Sequence, residues 1–263
     1  MKVLVTGGKG YIGTNLRPFI EAAGWEFVSY DIVDGLDVLN FEQLQSAAKD
    51  ADVVVHLAAV SGVEQCNRHR SKAFRVNVEG TWNVVNATTE KPVFIASSFA
   101  SVWNVYGQTK RMAEIIAEEC PDCYIMRISN VYGGREYVKR KNSVIAKWLK
   151  EAEKGYITVY GDGTQQRDFI HVDDVCRCIR HLIQIRTDFS QELPKRFNIC
   201  TGKLTAINEL SELFRKLYPS RLVVKHKPLP SYESVYIAHQ PFARIRYISL
   251  EEGLARTIKE VTS

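Results

Sequence analysis

The run KVLVTGGKGYIG at residues 2–13 decides the fold. Its first five residues are mostly β-branched or apolar, as in a buried parallel strand, and a helical pattern begins at Thr14. Between them, Gly7, Gly10 and Gly13 allow a tight turn, close backbone approach to a pyrophosphate, and close packing of the helix on the strand. The N–H groups at the start of such a helix bind phosphates. The run therefore predicts a dinucleotide site at the start of the chain.

An acidic residue at the end of the second predicted strand indicates which dinucleotide. Asp31 follows the strand Glu26–Tyr30, about 20 residues beyond the glycines, where a carboxylate can accept from both adenosine ribose hydroxyls. It would repel a 2′-phosphate, and no arginine follows immediately to neutralise one. NAD is therefore favoured over NADP, with a simple turn residue as the alternative role of Asp31. Asp37 and Val38 lie where a loop could meet the adenine.

Strands and helices alternate along the next hundred or so residues. Further apolar strands are predicted at residues 52–56, 93–96 and 124–127, with a long helix at Lys72–Thr89. This alternation predicts an α/β fold with a Rossmann-type, doubly wound parallel sheet.

Small residues end the third predicted strand, and one histidine belongs to it. Leu57, Ala58 and Ala59 would let a cofactor lie across the edge of the sheet. His56 is interpreted as a hydrogen-bonded structural histidine because it is part of the strand itself.

A tyrosine and a lysine four residues apart follow the strand at 93–96. On a helix, Tyr106 and Lys110 share one face, one turn apart. A phenol beside a cation loses its proton more readily than a free phenol, and can then exchange a proton with a sugar hydroxyl or ketone. The spacing alone is common on solvated helix faces. Its place after this strand and behind the glycine turn makes a redox acid–base pair the favoured interpretation.

Composition and charge restrict the class of protein. The net charge of +5 is mild and suits an anionic small molecule, and no long Lys/Arg run favours nucleic acid or a membrane surface. The chain starts directly with a strand, without a signal-peptide pattern, and holds no apolar run long enough to span a bilayer. We therefore expect a cytoplasmic protein with reduced thiols.

Two pairs of cysteines have close spacing. Cys120 and Cys123 flank Pro121-Asp122 in a redox-type C-x-x-C arrangement, and Cys176 and Cys178 are two residues apart. Neither pair has the second ligand pair that a zinc site needs, so no metal is predicted. Packed, unpaired thiols are the favoured interpretation of both.

Taken in order, these segments resemble the extended short-chain dehydrogenase/reductase superfamily, in its NAD-dependent nucleotide-sugar epimerase/dehydratase branch. The matching segments are GGKGYIG at 7–13, Asp31, HLAA at 56–59, YGQTK at 106–110, RISNVYGG at 127–134 and GDGTQQRDFIHVDDV at 161–175. The resemblance implies an NAD-binding Rossmann domain over residues 1–130, completed by roughly 165–185. It also implies a small C-terminal substrate lobe from 131–164 and 186–263, and a homodimer formed through two helices of each subunit.

The resemblance also implies roles for single residues. Tyr106 would be the acid–base group, and Lys110 would bind the nicotinamide ribose and favour loss of the phenolic proton. Asn130 and Arg167 would contact the diphosphate of a nucleotide-diphosphate sugar. The full cofactor-binding set is Gly7, Gly10, Tyr11, Ile12, Gly13, Asp31, Asp37, Val38, Leu57, Ala58, Ala59, Tyr106 and Lys110.

The chain departs from this family on the substrate side. Relatives place a catalytic Ser or Thr where this sequence has Phe99, which cannot donate a hydrogen bond to a sugar oxygen, so Ser98 or Ser101 would have to replace it. The Asp-Glu pair of 4,6-dehydratases corresponds here to Ala100-Ser101, which disfavours dehydration. The segment before Tyr106 is also shorter than usual. The predicted function is an epimerase or a 4-keto-sugar reductase, and the alternative is a non-catalytic NAD(H)-binding sensor or scaffold.

Overall fold

Strands and helices alternate along the residues that the computed structural model describes, which are 1–99, 103–134, 143–188, 193–229, 239–242 and 245–262. The strands are β1 (Lys2–Thr6), β2 (Glu26–Tyr30), β3 (Val53–His56), β4 (Val93–Ser98), β5 (Cys123–Ile128), β6 (Asn130–Tyr132), β7 (Tyr156–Tyr160), β8 (Gln166–His171), β9 (Arg196–Ile199), β10 (Leu204–Ala206) and β11 (Val223–Lys227). The helices are α1 (Tyr11–Glu21), α2 (Phe41–Lys49), α3 (Val63–Arg68), α4 (Arg70–Phe74), α5 (Gly80–Ala87), α6 (Val105–Glu118), α7 (Val144–Ala152), α8 (Val172–Asp188), α9 (Ile207–Leu217) and α10 (Leu250–Thr262).

A six-stranded parallel sheet is the centre of the first of two compact units, which comprises Met1–Ile128 and Cys176–Ile199. Its strand order is β2-β1-β3-β4-β5-β9, so the order reverses between β1 and β3. In open α/β sheets, ligands bind outside the carboxyl ends of the strands at such a reversal. The predicted doubly wound α/β fold is confirmed.

Apolar strands make this sheet a buried layer. All four residues of β3 are buried, and so are five of the six residues in each of β4 and β5. Strands covered on both faces lose the alternation of apolar and polar residues, which explains the continuous apolar runs in the sequence. The strand ends are thereby held at fixed positions for the loops that follow them.

The long helix predicted at Lys72–Thr89 is interrupted. A π-helical segment, Arg75–Glu79, lies between α4 and α5. Its one buried residue is Asn77, whose side chain is bound to the backbone of Val60 rather than to its own helix. Wider turns of this kind are frequent at functional sites, and hydrophobic periodicity does not reveal them.

The second compact unit comprises Ser129–Val175 and Cys200–Ser263. It contains a three-stranded sheet of order β10-β8-β6 and a two-stranded sheet of β11 and β7. Residues 176–199 belong to the first unit and contain β9, the last strand of its sheet. Strand β8 belongs to the second unit, where it pairs with β6 and β10.

The cysteines differ from the prediction of unpaired thiols at one place. Cys120 and Cys123 form a disulfide, with their Cα atoms 5.4 Å apart. The prediction is correct for the other close-spaced pair, because Cys176 and Cys178 lie outside any disulfide and are buried, as are Cys66 and Cys200. Within the described ranges, no helix combines the length and apolar character needed to cross a bilayer.

Candidate functional site

The glycine turn joins β1 to α1 without side chains in the way. The Gly7 N–H donates to Tyr30 O (2.8 Å), and Gly7 has the left-handed φ of +69°. A Cβ on Gly7 would lie 2.8 Å from the Ala58 backbone nitrogen, so the loops after β1 and β3 lie in contact. A Cβ on Gly13 would lie 2.6 Å from the Gly7 and Gly8 carbonyl oxygens. Each position therefore excludes any larger residue.

The start of α1 suits an anion. Its N-cap is Gly10, no side chain caps it, and no acidic residue lies in its first turn. First-turn N–H groups carry partial positive charge and seek an acceptor. A pyrophosphate fits this helix start because Gly10 lets it approach the backbone closely.

Asp31 is held in place by backbone donors. It is only 6% exposed, and its two carboxylate oxygens accept from Lys9 N (2.9 Å) and Val33 N (3.0 Å). Each oxygen has a second acceptor site, so the carboxylate can still receive ribose hydroxyls. Two further residues of the predicted cofactor-binding set have contacts within the protein. Asp37 accepts a hydrogen bond from Leu39 N, and Val38 is buried in the core against α5.

His56 lies in a hydrogen-bonded network, which confirms its structural interpretation. Its Nε2 is 3.0 Å from Thr81 Oγ1, and its Nδ1 is 2.7 Å from Thr6 Oγ1. Thr81 already donates its hydroxyl hydrogen to Asn77 O, so Nε2 of His56 must donate and Nδ1 must accept. This network fits the neutral ring. Burial, together with the nearby charge of Lys110, lowers the pKa of His56 to about 3.

This buried neutral histidine predicts a loss of stability in acid. The unfolded chain binds a proton at His56 below a pKa of about 6.5, whereas the folded chain does so only near 3. Between these values the free energy of unfolding should fall as pH falls, by up to about 1.4 kcal/mol per pH unit from this group. Urea unfolding of wild type and His56→Gln from pH 7 to pH 4 measures this dependence of the free energy of unfolding on pH. Parallel pH profiles for the two proteins would contradict the expectation.

Tyr106 and Lys110 lie one turn apart at the start of α6, directly after β4 in the chain. Asn104 caps the helix by accepting from Gly107 N (2.9 Å). Lys110 is 7% exposed, and its ammonium donates to Ala96 O on β4 (2.8 Å). Burial lowers the pKa of Lys110 to about 8, while Cys66 and Glu114 act in the opposite direction. The helix thus carries a desolvated cation one turn away from a half-buried tyrosine.

Asn77 connects the loop after β3 to the Tyr106 helix, a role that the sequence analysis missed. It is 1% exposed, exchanges hydrogen bonds with Val60 N and Val60 O (2.8 and 3.1 Å), and donates to Thr109 Oγ1 (3.0 Å). Thr109 in turn donates to Tyr106 O (2.9 Å). The signal in the sequence that could have identified Asn77 was an amide side chain among apolar neighbours within a helical pattern.

Glu114 anchors the same helix one turn beyond Lys110. Its buried carboxylate accepts from Ser97 Oγ (2.6 Å), from Arg127 on β5 (2.8 and 2.5 Å) and from Arg111 (2.9 Å). Burial raises the pKa of this carboxyl, but the hydrogen bonds from Arg127 and Ser97 outweigh it and hold the pKa below its usual value. Ser97 therefore faces α6.

Two residues, Ser98 and Ser101, are the candidates predicted to supply the hydroxyl that replaces the family's catalytic Ser or Thr. Ser98 is half-buried and ends β4, where the strand alternation turns it to the face opposite Ser97. Phe99 follows it and is also half-buried. Ser101 lies outside the described residues.

In the second unit, the two predicted substrate-binding residues lie on paired strands. β6 and β8 run parallel with Asn130 opposite Phe169, two residues from Arg167. Asn130 Nδ2 donates to Asp168 O (3.2 Å), and Arg167 donates to Gln166 O (2.6 Å).

Asp168 between them is a buried anchor that the sequence analysis did not single out. Asp168 is 1% exposed. It accepts from Ser129 Oγ (3.1 Å), from the backbone and hydroxyl of Thr201 (3.0 and 2.9 Å) and from Gly202 N (2.7 Å). One carboxylate thereby fixes the start of the Asn130 strand and the loop after β9.

Comparison with known families assigns the class of protein. The model of the NAD dependent epimerase/dehydratase family matches residues 3–200. The chain belongs to this family, so the predicted membership in the extended short-chain dehydrogenases/reductases is confirmed. Its cofactor is NAD, in agreement with the fit of the glycine turn and Asp31.

Different relatives are named for different reactions. The chain is 25% identical to a UDP-glucose 4-epimerase of Mycoplasma genitalium, over 100% of this chain and 94% of the relative. It is 26% identical to a GDP-6-deoxy-D-talose 4-dehydrogenase of Aggregatibacter actinomycetemcomitans, over 87% and 84% of the two chains. A solved UDP-glucose 4-epimerase of Thermus thermophilus, in complex with NAD, has a TM-score of 0.84 at 20% identity and 99% coverage of both chains, a likeness of fold.

Proposed function

We propose that the chain is an NAD-dependent enzyme that acts on a nucleotide-diphosphate sugar, as an epimerase or a 4-keto-sugar reductase. The observation that carries the proposal is the Tyr106–Lys110 pair on α6, with Lys110 fixed to the end of β4. Burying an ammonium that donates to a backbone carbonyl but forms no ion pair with the described residues costs free energy, because the charge loses its hydration. Its retention in a hydrogen-bonded position beside a phenol supports a catalytic role.

Bound NAD supplies hydride chemistry at a sugar carbon. In this proposal, the Tyr106 phenolate takes the hydroxyl proton as hydride leaves the same carbon, so that a carbonyl forms, and it returns the proton in the reverse step. Lys110 would stabilise the phenolate electrostatically and would donate to a ribose hydroxyl of the cofactor. Asn77 and Glu114 act through the helix by keeping this pair in position.

The second unit supports an anionic sugar substrate. By count of Lys, Arg, Asp and Glu, the whole net charge of +5 lies in this unit and the first is neutral. Arg167 would pair with the diphosphate through its fork of donors. Asn130, on the neighbouring strand, would donate to the same group. Relatives that act on UDP- and GDP-sugars support this substrate class.

A specific observation favours a second candidate function. Phe99 lies where relatives carry the hydroxyl that contacts the sugar, and its ring cannot donate a hydrogen bond. A chain that keeps the NAD site but has lost this donor could act as an NAD(H)-binding sensor or scaffold.

Ligand screening separates the two candidates. Unfolding temperature is measured with NAD or NADP, combined with UDP-, dTDP-, GDP- and CDP-sugars, because a ligand that binds the folded state stabilises it by RT ln(1 + [L]/Kd). The proposal predicts stabilisation by NAD together with one nucleotide-sugar class. Hydride exchange between that sugar, deuterated at the reacting carbon, and the cofactor should follow. NAD binding without any sugar response or exchange would instead support the sensor.

We also propose a homodimer formed through α4 to α6. Large apolar side chains are exposed on these packed helices: Phe74 (50%), Trp82 (57%), Met112 (43%) and Ile115 (51%). Such a patch commonly marks an interface, and a second copy offers the same apolar surface. Light scattering should give a dimer for wild type and for Val223→Glu, an exposed site on β11, but a monomer for Trp82→Glu. A monomeric wild type would overturn the proposal.

A further inference from the structure

The C-x-x-C segment lies far from the predicted redox pair. Cys120 follows the end of α6 and Cys123 opens β5, whereas Tyr106 lies near the start of α6. At about 1.5 Å per residue of helix, the two sites are separated by about 20 Å. Chemistry at these sulfurs is therefore separate from the acid–base pair.

Nearby cations hold the backbone around the two cysteines. The Lys195 ammonium donates to Cys120 O, to Pro121 O (2.6 Å) and to Cys123 O (3.4 Å). Asp122, between the cysteines, pairs with Arg186 through two bonds of 2.9 and 2.8 Å. These contacts involve carbonyls and a carboxylate, not sulfur. Reduction of the disulfide breaks none of these contacts, so we expect the cysteine Cα atoms to stay at a distance suited to a disulfide.

The two cysteine residues differ in exposure. Cys123 is fully buried, whereas Cys120 is partly exposed. On this residue exposure, an external reagent should react with Cys120 before Cys123. The ammonium of Lys195 offsets the negative end of α6, which would otherwise disfavour a thiolate at Cys120.

This disulfide is poorly explained by a role in stabilising the fold. In the chain-entropy model a disulfide stabilises mainly by restricting the unfolded chain, and it does so least for short loops. Here the sequence separation is 3 residues. Lys195 and Arg186 already tie the same loop to β9 and α8.

We propose that Cys120 and Cys123 form a reversible thiol–disulfide site that exchanges with low-molecular-mass disulfides and thiols. The Cys120 thiolate attacks one sulfur of a disulfide R–S–S–R, which forms Cys120–S–S–R and releases RS⁻. The Cys123 thiolate then attacks the Cys120 sulfur, forms the internal disulfide and releases a second RS⁻. The two thiols lose two electrons and two protons, and these appear in two molecules of RSH. Excess RSH reverses both steps.

Mass spectrometry of the full chain with glutathione disulfide as the probe tests this assignment. Reduced wild type should become two hydrogens lighter and retain no glutathione, and reduced glutathione in excess should restore the dithiol. Cys123→Ser should retain one glutathione on Cys120, because the resolving thiol is missing. Cys120→Ser should retain none, because Cys123 is buried.

The NAD-induced rise in melting temperature shows that each variant is folded. Cys176→Ser is the matched control, a buried cysteine outside the pair, and should behave as wild type. Glutathione retained by Cys120→Ser, or a wild type that keeps both thiols at every glutathione ratio, would overturn the proposal. If a serine variant fails to fold, the proposal is tested by peptide mapping of wild type that has been acid-quenched at each glutathione ratio. Cys120 and Cys123 must then oxidise together, at one midpoint ratio.

Discussion

Replacing Tyr106 with phenylalanine is expected to lower turnover of the nucleotide-sugar by about 10²- to 10⁴-fold, the usual contribution of a positioned acid–base group. Phenylalanine keeps the ring and its packing and removes only the oxygen that would carry the proton. NAD binding should be nearly unchanged, because the glycine turn, Asp31 and Lys110 are untouched. Single-turnover hydride transfer with the sugar that most stabilises the protein is the measurement.

A matched control separates this effect from loss of a hydroxyl elsewhere. Tyr218 stacks on Phe214 in the second unit and belongs to neither the predicted acid–base pair nor the predicted binding residues, so Tyr218→Phe should turn over like wild type. Wild-type turnover by the Tyr106→Phe protein would show that another group moves the proton.

Replacing Gly13 with alanine is expected to disrupt the junction of β1 and α1. The new methyl group would lie 2.6 Å from two carbonyl oxygens and 2.7 Å from Gly8 Cα. These are backbone atoms, so no flexible side chain can move aside. Overpacking of this kind costs about 1–3 kcal/mol or more of the free energy of unfolding. Urea unfolding, with and without NAD, should show both lower stability and loss of stabilisation by NAD.

Gly24→Ala is the control for this change. Gly24 has a left-handed φ of +74° and nothing within 4 Å of an added Cβ, so alanine there brings strain without a clash. It should lower stability by roughly 1–2 kcal/mol and leave stabilisation by NAD intact. Equal loss of the NAD effect in both variants would contradict the role given to Gly13.

Features that depend on neighbours in sequence were predictable. The turn at Gly7 to Gly13, the acid at Asp31 and the pair Tyr106–Lys110 each combine residues within one loop or one helical turn, so their spacing carries the information. The strand assignments follow from apolar runs for the same reason. The doubly wound class of the fold then follows from the alternation of strands and helices.

Features that join distant segments were not predictable from one sequence. Asn77 binds Val60 and Thr109, and Glu114 binds Ser97 and Arg127, but no local pattern connects these positions. The place of β8 in the three-stranded sheet likewise depends on packing between segments that are distant in sequence. Pairing of Cys120 with Cys123 depends on the loop geometry that Lys195 and Arg186 impose.

The division of charge between the two units has a kinetic consequence. Under the proposed function, the unit that carries all of the net charge of +5 would attract the substrate's diphosphate from a distance, and salt would limit that attraction to a range of roughly 8 Å at physiological ionic strength. The association rate of a nucleotide-sugar should therefore fall as ionic strength rises, while its dissociation rate changes less. The rate at which NAD associates with the neutral unit should respond weakly. Ionic strength would thus set how fast the protein captures its sugar substrate, independently of how fast it acquires its cofactor.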